Sequence, residues 1–226
     1  RPQLPQARRN PRDVQNSAGA RLHQRQVIQL LDLIQARRSV RRYTASPVSP
    51  ALIERLLTAA VWAPSAHNRQ PWRFAAIRSD SIKTELATAM GDRLRADRLA
   101  DGDPAEAVEA DAARSRARIT SSPVVIAVCL SMADMDRYSD AHRNEAEYLM
   151  AAQSTAMAVQ NLLLAAHAEE LGACWMCAPL FCPDAVKAAL DLPADWEPQA
   201  LITLGYPADD GKPASRKPRE TFVVWK

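Results

Sequence analysis

The alternation of apolar and polar positions becomes regular only from Val27 onwards. Val27, Leu30, Leu31, Leu33 and Ile34 recur at three- and four-residue steps as far as the basic cluster Arg37 to Arg42. This spacing predicts a helix with Arg37 and Arg38 at or just beyond its end. Ser49-Pro50 supplies a cap and a first-turn proline for a second helix, whose inward stripe is Ile53, Leu56, Leu57, Ala60 and Val61 and which Ala63-Pro64 should stop. Trp72 to Ile77 reads as a strand, and Ile82 to Leu99 and Pro104 to Ile119 read as helices. Val124 to Leu130 is apolar without alternation, the pattern of a strand covered on both faces.

The longest helical pattern runs from Ala141 to Glu170, with Leu149, Met157, Leu162, Leu163 and Ala166 inward, and reaches ~45 Å at ~1.5 Å per residue. Such a rod is wider than a small domain and suits the central element of a dimer. Leu171-Gly172 ends it. Cys174 to Cys177 then reads as a short strand, Asp184 to Leu190 as a helix and Ala200 to Gly205 as the last clear strand. The β-rich tail Thr221 to Trp225 could add an edge strand elsewhere, including on a partner subunit. Helices that precede and separate about four strands give an α/β or α+β class, with a single domain over residues 27–226.

Charge separates this domain from what precedes it. Residues 1–26 show almost no apolar periodicity and read as an extended basic arm. They hold six arginines against Asp13 alone, which is +5, so the other 200 residues sum to −2 within a net charge of +3. A nucleic-acid binder usually carries its positive excess on the folded body, so a nucleic-acid module using the arm is a minor alternative. No apolar run approaches the ~18 residues of a membrane span, and four cysteines in a chain of this size do not make a secreted disulfide framework. The expectation is a cytoplasmic protein with no membrane partner, opening at Arg1 as a fragment or trimmed product. The six glycines, Gly19, Gly91, Gly102, Gly172, Gly205 and Gly211, lack the spacing of either glycine-rich phosphate cradle, and neither G-x-S-x-G nor H-E-x-x-H occurs. Any bound phosphate must be held by side chains.

Three segments offer chemistry. Arg37-Arg38-Ser39-Val40-Arg41 places three guanidinium groups and a hydroxyl within a short span, which could clamp a phosphate dianion; taken alone it also reads as a solvated helix end, where arginine meets the negative end of the dipole. Ala63-Pro64-Ser65-Ala66-His67-Asn68-Arg69-Gln70-Pro71-Trp72 is stiffened by two prolines, and its Asn68 and Gln70 amides suit the edge of a heteroaromatic ring; the plain alternative is a rigid turn. Gly205-Tyr206-Pro207, followed by Lys217-Pro218-Arg219, adds a second cationic pair in what would otherwise be a polar tail. Cys174-Trp175-Met176-Cys177 copies a C-x-x-C spacing, but an extended segment points its two thiols to opposite faces, which favours buried apolar cysteines over a dithiol or metal site. His67 either lines an acceptor pocket or faces solvent, and Trp72, Trp175 and Tyr206 read as core aromatics.

Taken together, these segments resemble the nitroreductase superfamily of FMN-dependent oxidoreductases from about Val27 to Lys226, with Gln160-Asn161-Leu162-Leu163-Leu164-Ala165-Ala166 as a further matching piece. The resemblance implies an α+β fold, a three-layer α/β/α sandwich, assembled as a homodimer with a central mixed sheet, long central helices and two FMN sites in the subunit interface. By residue matching it implies that Arg37, Arg38, Ser39 and Arg41 contact the flavin phosphate and pyrimidine side, and that Pro64, Ser65 and Asn68 come from the partner subunit, with Gln70 beside them. It further places the backbone of Cys177 and Ala178 opposite flavin N5 and returns Lys217 and Arg219 to the phosphate. Ala141 to Met150, Gly172-Ala173-Cys174-Trp175, Asp195-Trp196-Glu197-Pro198 and the Val224-Trp225-Lys226 ending look like the FMN-binding reductase half of the bifunctional ligase of deazaflavin coenzyme F-420 biosynthesis. The implied activity is a ping-pong two-electron reduction of a small conjugated or aromatic acceptor, such as an F-420 precursor, by NAD(P)H or another hydride donor. The flavin would carry the chemistry, with no catalytic side chain and no metal. A non-catalytic flavin or deazaflavin carrier would share the cationic cluster.

Overall fold

A computed structural model describes residues 29–226, which fall into two units. The first closes at Arg37 and contains helix α1, residues 29–36. The basic arm expected over residues 1–26 lies outside the described residues. The second unit, Arg38 to Lys226, runs α2 (Pro50–Val61), β1 (Trp72–Ile77), α3 (Asp80–Ala100), α4 (Ala105–Thr120), β2 (Val124–Leu130), α5 (Ala141–Ala168), β3 (Gly172–Met176), α6 (Pro183–Leu190) and β4 (Glu197–Gly205). Local chemistry sets the starts: the Ser49 hydroxyl accepts from the Leu52 N–H at 3.2 Å ahead of α2, and the Asp140 carboxylate accepts from the Arg143 N–H at 2.9 Å ahead of α5.

The four strands form one antiparallel sheet in the order β1-β2-β4-β3. Every residue of β2 is buried, because the sheet is covered on both faces. Alternate residues serve different layers: Val124, Ile126 and Val128 pack with α2 and α5, whereas Val125 and Ala127 pack with Leu86, Met90, Ile119 and Val186 of α3, α4 and α6. This is the three-layer α/β/α sandwich that the resemblance implies. Within the described residues the strands are all antiparallel, and the mixed character enters through a parallel bridge between Ser39 and Ala173 on the outer edge of β3.

Three expectations need correcting. Val61, Leu149 and Met157 are exposed rather than inward. α5 buries its small residues Ala151, Ser154, Thr155 and Ala158 against the core, and Leu149 and Met157 belong to a second apolar stripe that faces away from the sheet, a distinction that spacing alone does not make. The β-rich tail forms a single 3-10 turn, Arg219–Thr221, and no strand in this chain.

Candidate functional site

The segment after Arg37 is bound to the sheet residue by residue. The Val40 N–H donates to the Ala173 carbonyl at 3.1 Å, extending the edge of β3. The Thr44 N–H donates to the Tyr206 carbonyl at 2.9 Å, and the Ala208 N–H donates to the Arg42 carbonyl at 3.0 Å. Residues 38–44 are thereby zipped to residues 205–211. This close approach requires two missing side chains. Gly172 and Gly205 are cross-strand partners; a Cβ on Gly172 would lie 2.7 Å from Val40 Cβ, and one on Gly205 would lie 2.8 Å or less from the Pro123 ring and 3.1 Å from Tyr43 Cβ. Val40 and Tyr43 rest on this saddle.

Period-2 alternation then does the rest. Val40 is buried while its neighbours Ser39 and Arg41 are exposed, and both line a cleft of about 400 Å³ with Arg42, Asp209, Gly211 and Lys212. Arg42 Nε donates to Asp209 Oδ2 at 2.5 Å, and the Gly211 N–H donates to Asp209 Oδ1 at 3.0 Å. The Gly211 N–H, then Arg42, hold the Asp209 carboxyl below the usual carboxylate range. Gly211 sits at φ 72°, and a Cβ there would meet Arg38 Cβ at 3.2 Å and the Ser39 carbonyl oxygen at 3.4 Å. Among these lining residues three cations face one carboxylate, an excess of two positive charges beside a serine hydroxyl: the donor set of a dianion site.

The second predicted segment forms a strained turn over Ala66–Asn68. His67, Asn68 and Gln70 adopt φ values of 48°, 55° and 50°, a conformation costing on the order of 1–3 kcal/mol for a non-glycine residue and concentrated at functional sites. The turn is held from both sides. Ser65 Oγ accepts from the Gln70 N–H at 3.0 Å, and Ser154 Oγ of α5 accepts from the Ala66 N–H at 3.3 Å. The Gln70 amide donates to the Asn68 carbonyl at 3.3 Å, Arg69 pairs with Asp136 at 2.6 Å, and Arg73 donates to the Gln70 carbonyl at 3.0 Å. Pro64, His67, Asn68 and Gln70 are exposed and Ser65 is half-buried. The amides are thus offered outward on a fixed frame.

Cys177 is exposed and Ala178 half-buried, at the start of the 3-10 turn Ala178–Phe181 that follows β3. Ala178 also lines an apolar cavity of about 310 Å³ with Met90, Leu94, Phe181 and Cys182. Arg37 closes the first unit, its N–H bonded to the Leu33 carbonyl at 3.1 Å, and Arg38 lies beneath Gly211. Lys217 and Arg219 are exposed, and Arg219 pairs with Glu220 at 3.3 Å. The cleft lining therefore unites Ser39 and Arg41 with two cations that sequence reasoning missed, Arg42 and Lys212. Arg42 had a signal, as part of the same basic cluster; Lys212 lies in a polar loop and had none. None of the four cysteines is in a disulfide, and no group of metal-ligating side chains occurs among the described residues. Trp72 is buried, and Trp175 and Tyr206 pack against the core as expected.

Residues 34–206 match the model of the Nitroreductase family. A relative named NADH dehydrogenase, from Thermus thermophilus, is 30% identical, covering 84% of this chain and 92% of its own length. The 5,6-dimethylbenzimidazole synthase of Rhodospirillum rubrum is 31% identical over 79% of this chain and 82% of its own. A solved nitroreductase-type protein of Desulfovibrio desulfuricans in complex with FMN is 30% identical, with a TM-score of 0.67, covering 87% of this chain and 96% of that one.

Proposed function

Because this chain belongs to the nitroreductase family and is an FMN-dependent oxidoreductase, we propose that it reduces a small conjugated or aromatic acceptor with NAD(P)H by a ping-pong route. The working form is a homodimer with FMN at the subunit interface. The observation that carries this reading is the cationic cleft formed where residues 39–42 meet residues 209–212. Its residues fit the phosphate end of FMN: the Ser39 hydroxyl donates once, Arg41 and Arg42 offer planar forks, Lys212 adds a point charge, and Gly211 leaves the space a Cβ would fill.

Bound FMN supplies the two-electron chemistry. Ser39, Arg41, Arg42 and Lys212 would hold the phosphate, and Arg37 or Arg41 would stabilise negative charge on the pyrimidine side of the reduced ring. Pro64, Ser65, Asn68 and Gln70 of a neighbouring copy would line the ring edge, the Cys177–Ala178 backbone would supply an N–H toward the reactive side of the ring, and Lys217 and Arg219 would join the phosphate set. The match of Pro64, Ser65 and Asn68 to the family's partner-supplied segment is the reason the reading calls for two copies.

A deazaflavin F-420 precursor is the first acceptor to test, on the likeness of Ala141 to Met150, Gly172 to Trp175, Asp195 to Pro198 and Val224 to Lys226. Initial rates at several fixed NAD(P)H concentrations should give parallel double-reciprocal lines; intersecting lines would overturn the ping-pong route. The synthase relative favours one second reading, formation of 5,6-dimethylbenzimidazole. Mass spectrometry of the flavin-loaded protein incubated with NADH in air distinguishes them: the reductase leaves FMN intact, and accumulation of 5,6-dimethylbenzimidazole would replace it with the second reading.

A further inference from the structure

The cleft depends on a side chain that does not line it. Tyr43 Oη lies 2.7 Å from the Val40 carbonyl oxygen, 2.7 Å from Thr203 Oγ1 and 3.0 Å from the Thr203 carbonyl oxygen. Burial pushes this phenol well above its ordinary pKa, so it stays protonated and donates. The phenol proton goes to the Val40 carbonyl, and the Thr203 hydroxyl, whose other acceptor is the Cys174 carbonyl oxygen at 3.5 Å, donates to Tyr43 over the shorter contact of 2.7 Å, so one buried pair ties the 38–44 segment to β4.

The consequence falls on both neighbours of Val40. Its N–H is fixed by Ala173 and its C=O by Tyr43, so the peptide planes on either side of Val40 are both held. Those planes carry Ser39 and Arg41, the two side chains this segment projects into the cleft on either side of the buried valine. Arg41 has a competing use, since its guanidinium also donates to the Ser39 carbonyl at 3.3 Å; a loosened backbone would let it fold back along its own chain. The geometry points to the Tyr43 hydroxyl as the positioning group that aims Ser39 and Arg41 at the FMN phosphate, an inference that rests on the FMN reading above.

The test is a comparison of FMN with riboflavin, which lacks the phosphate, by quenching of flavin fluorescence. Tyr43→Phe keeps the ring over Gly205 and removes only the hydroxyl. It should weaken FMN binding by roughly three- to tenfold, the scale of one net hydrogen bond, and weaken riboflavin binding clearly less, because riboflavin offers these side chains no phosphate. Thr203→Val, which removes the hydroxyl on the other side of the pair, should move the FMN-to-riboflavin ratio in the same direction. Equal losses for both flavins, or FMN binding as tight as in the unaltered protein, would overturn the positioning role and leave the FMN reading standing. An unaltered protein that binds neither flavin would overturn the FMN reading itself.

Discussion

Four thiols in one chain meet four environments. Burial pushes Cys129, inside β2, up to about 12, burial also raises Cys182, Cys174 is buried in β3, and Cys177 is exposed. Brief alkylation of the native protein near pH 8 should therefore modify Cys177 alone, and bound FMN should slow that reaction if the Cys177–Ala178 backbone faces the ring; peptide mapping with and without FMN reads both outcomes. Cys129 also sets a sign for alkaline stability. Its folded value lies above the ordinary 9.0, so the folded chain keeps the proton while the unfolded chain loses it. Stability is full below pH 9 and falls as the pH rises from 9 to about 12, and Cys129→Ala should flatten that fall in urea melts. At this scale the sequence was readable where residue types cluster. Arg37 to Arg42 stood out as a candidate anion site because four cations in six positions are unusual, whereas Lys212 and Tyr43 were invisible because their roles exist only after β3 and β4 pair.

The elements most legible in advance were those with one environment along their whole length. β1 and β2 begin and end where the apolar runs do, and Ser49-Pro50 marks the start of α2. α5 was harder, since its apolar positions form two stripes and only packing decides which one the core takes. Backbone contacts between elements were illegible for a different reason: a glycine in sequence does not say what lies above it. Gly172 is the sharpest case. Gly172→Ala would set a methyl 2.7 Å from Val40 Cβ, overpacking that should destabilise the protein by about 1–3 kcal/mol and lower Tm by several degrees for a chain of this length. Adding Val40→Gly, which removes the Cβ that an alanine would keep, should restore part of the melting temperature in calorimetry, because the clash is with that one side chain; no recovery would mean that Gly172 serves its own strand instead.

Taken as a whole, the molecule leaves large apolar side chains in water. Trp62 at the end of α2 is 82% exposed, Trp225 in the tail 84%, and Leu149 and Met157 of α5 lie open as well. Patches of this kind mark association surfaces, which agrees with a site whose ring-facing residues come from a second copy. Sedimentation equilibrium should return twice the 24.9 kDa of one chain, and Trp62→Glu combined with Leu149→Glu should lower that mass and weaken FMN retention together; a single-chain mass with full FMN retention would refute the shared site. The zipper at the end of the sheet has a last implication. Arg42 and Asp209 stand 167 positions apart, so the anion cleft has no partial form: with the FMN phosphate bound there as proposed, a nascent chain could not capture its cofactor until the final strand and the loop behind it had left the ribosome. The yellow colour of a preparation then counts finished molecules, and a pale one reports incomplete folding before any assay of turnover is run.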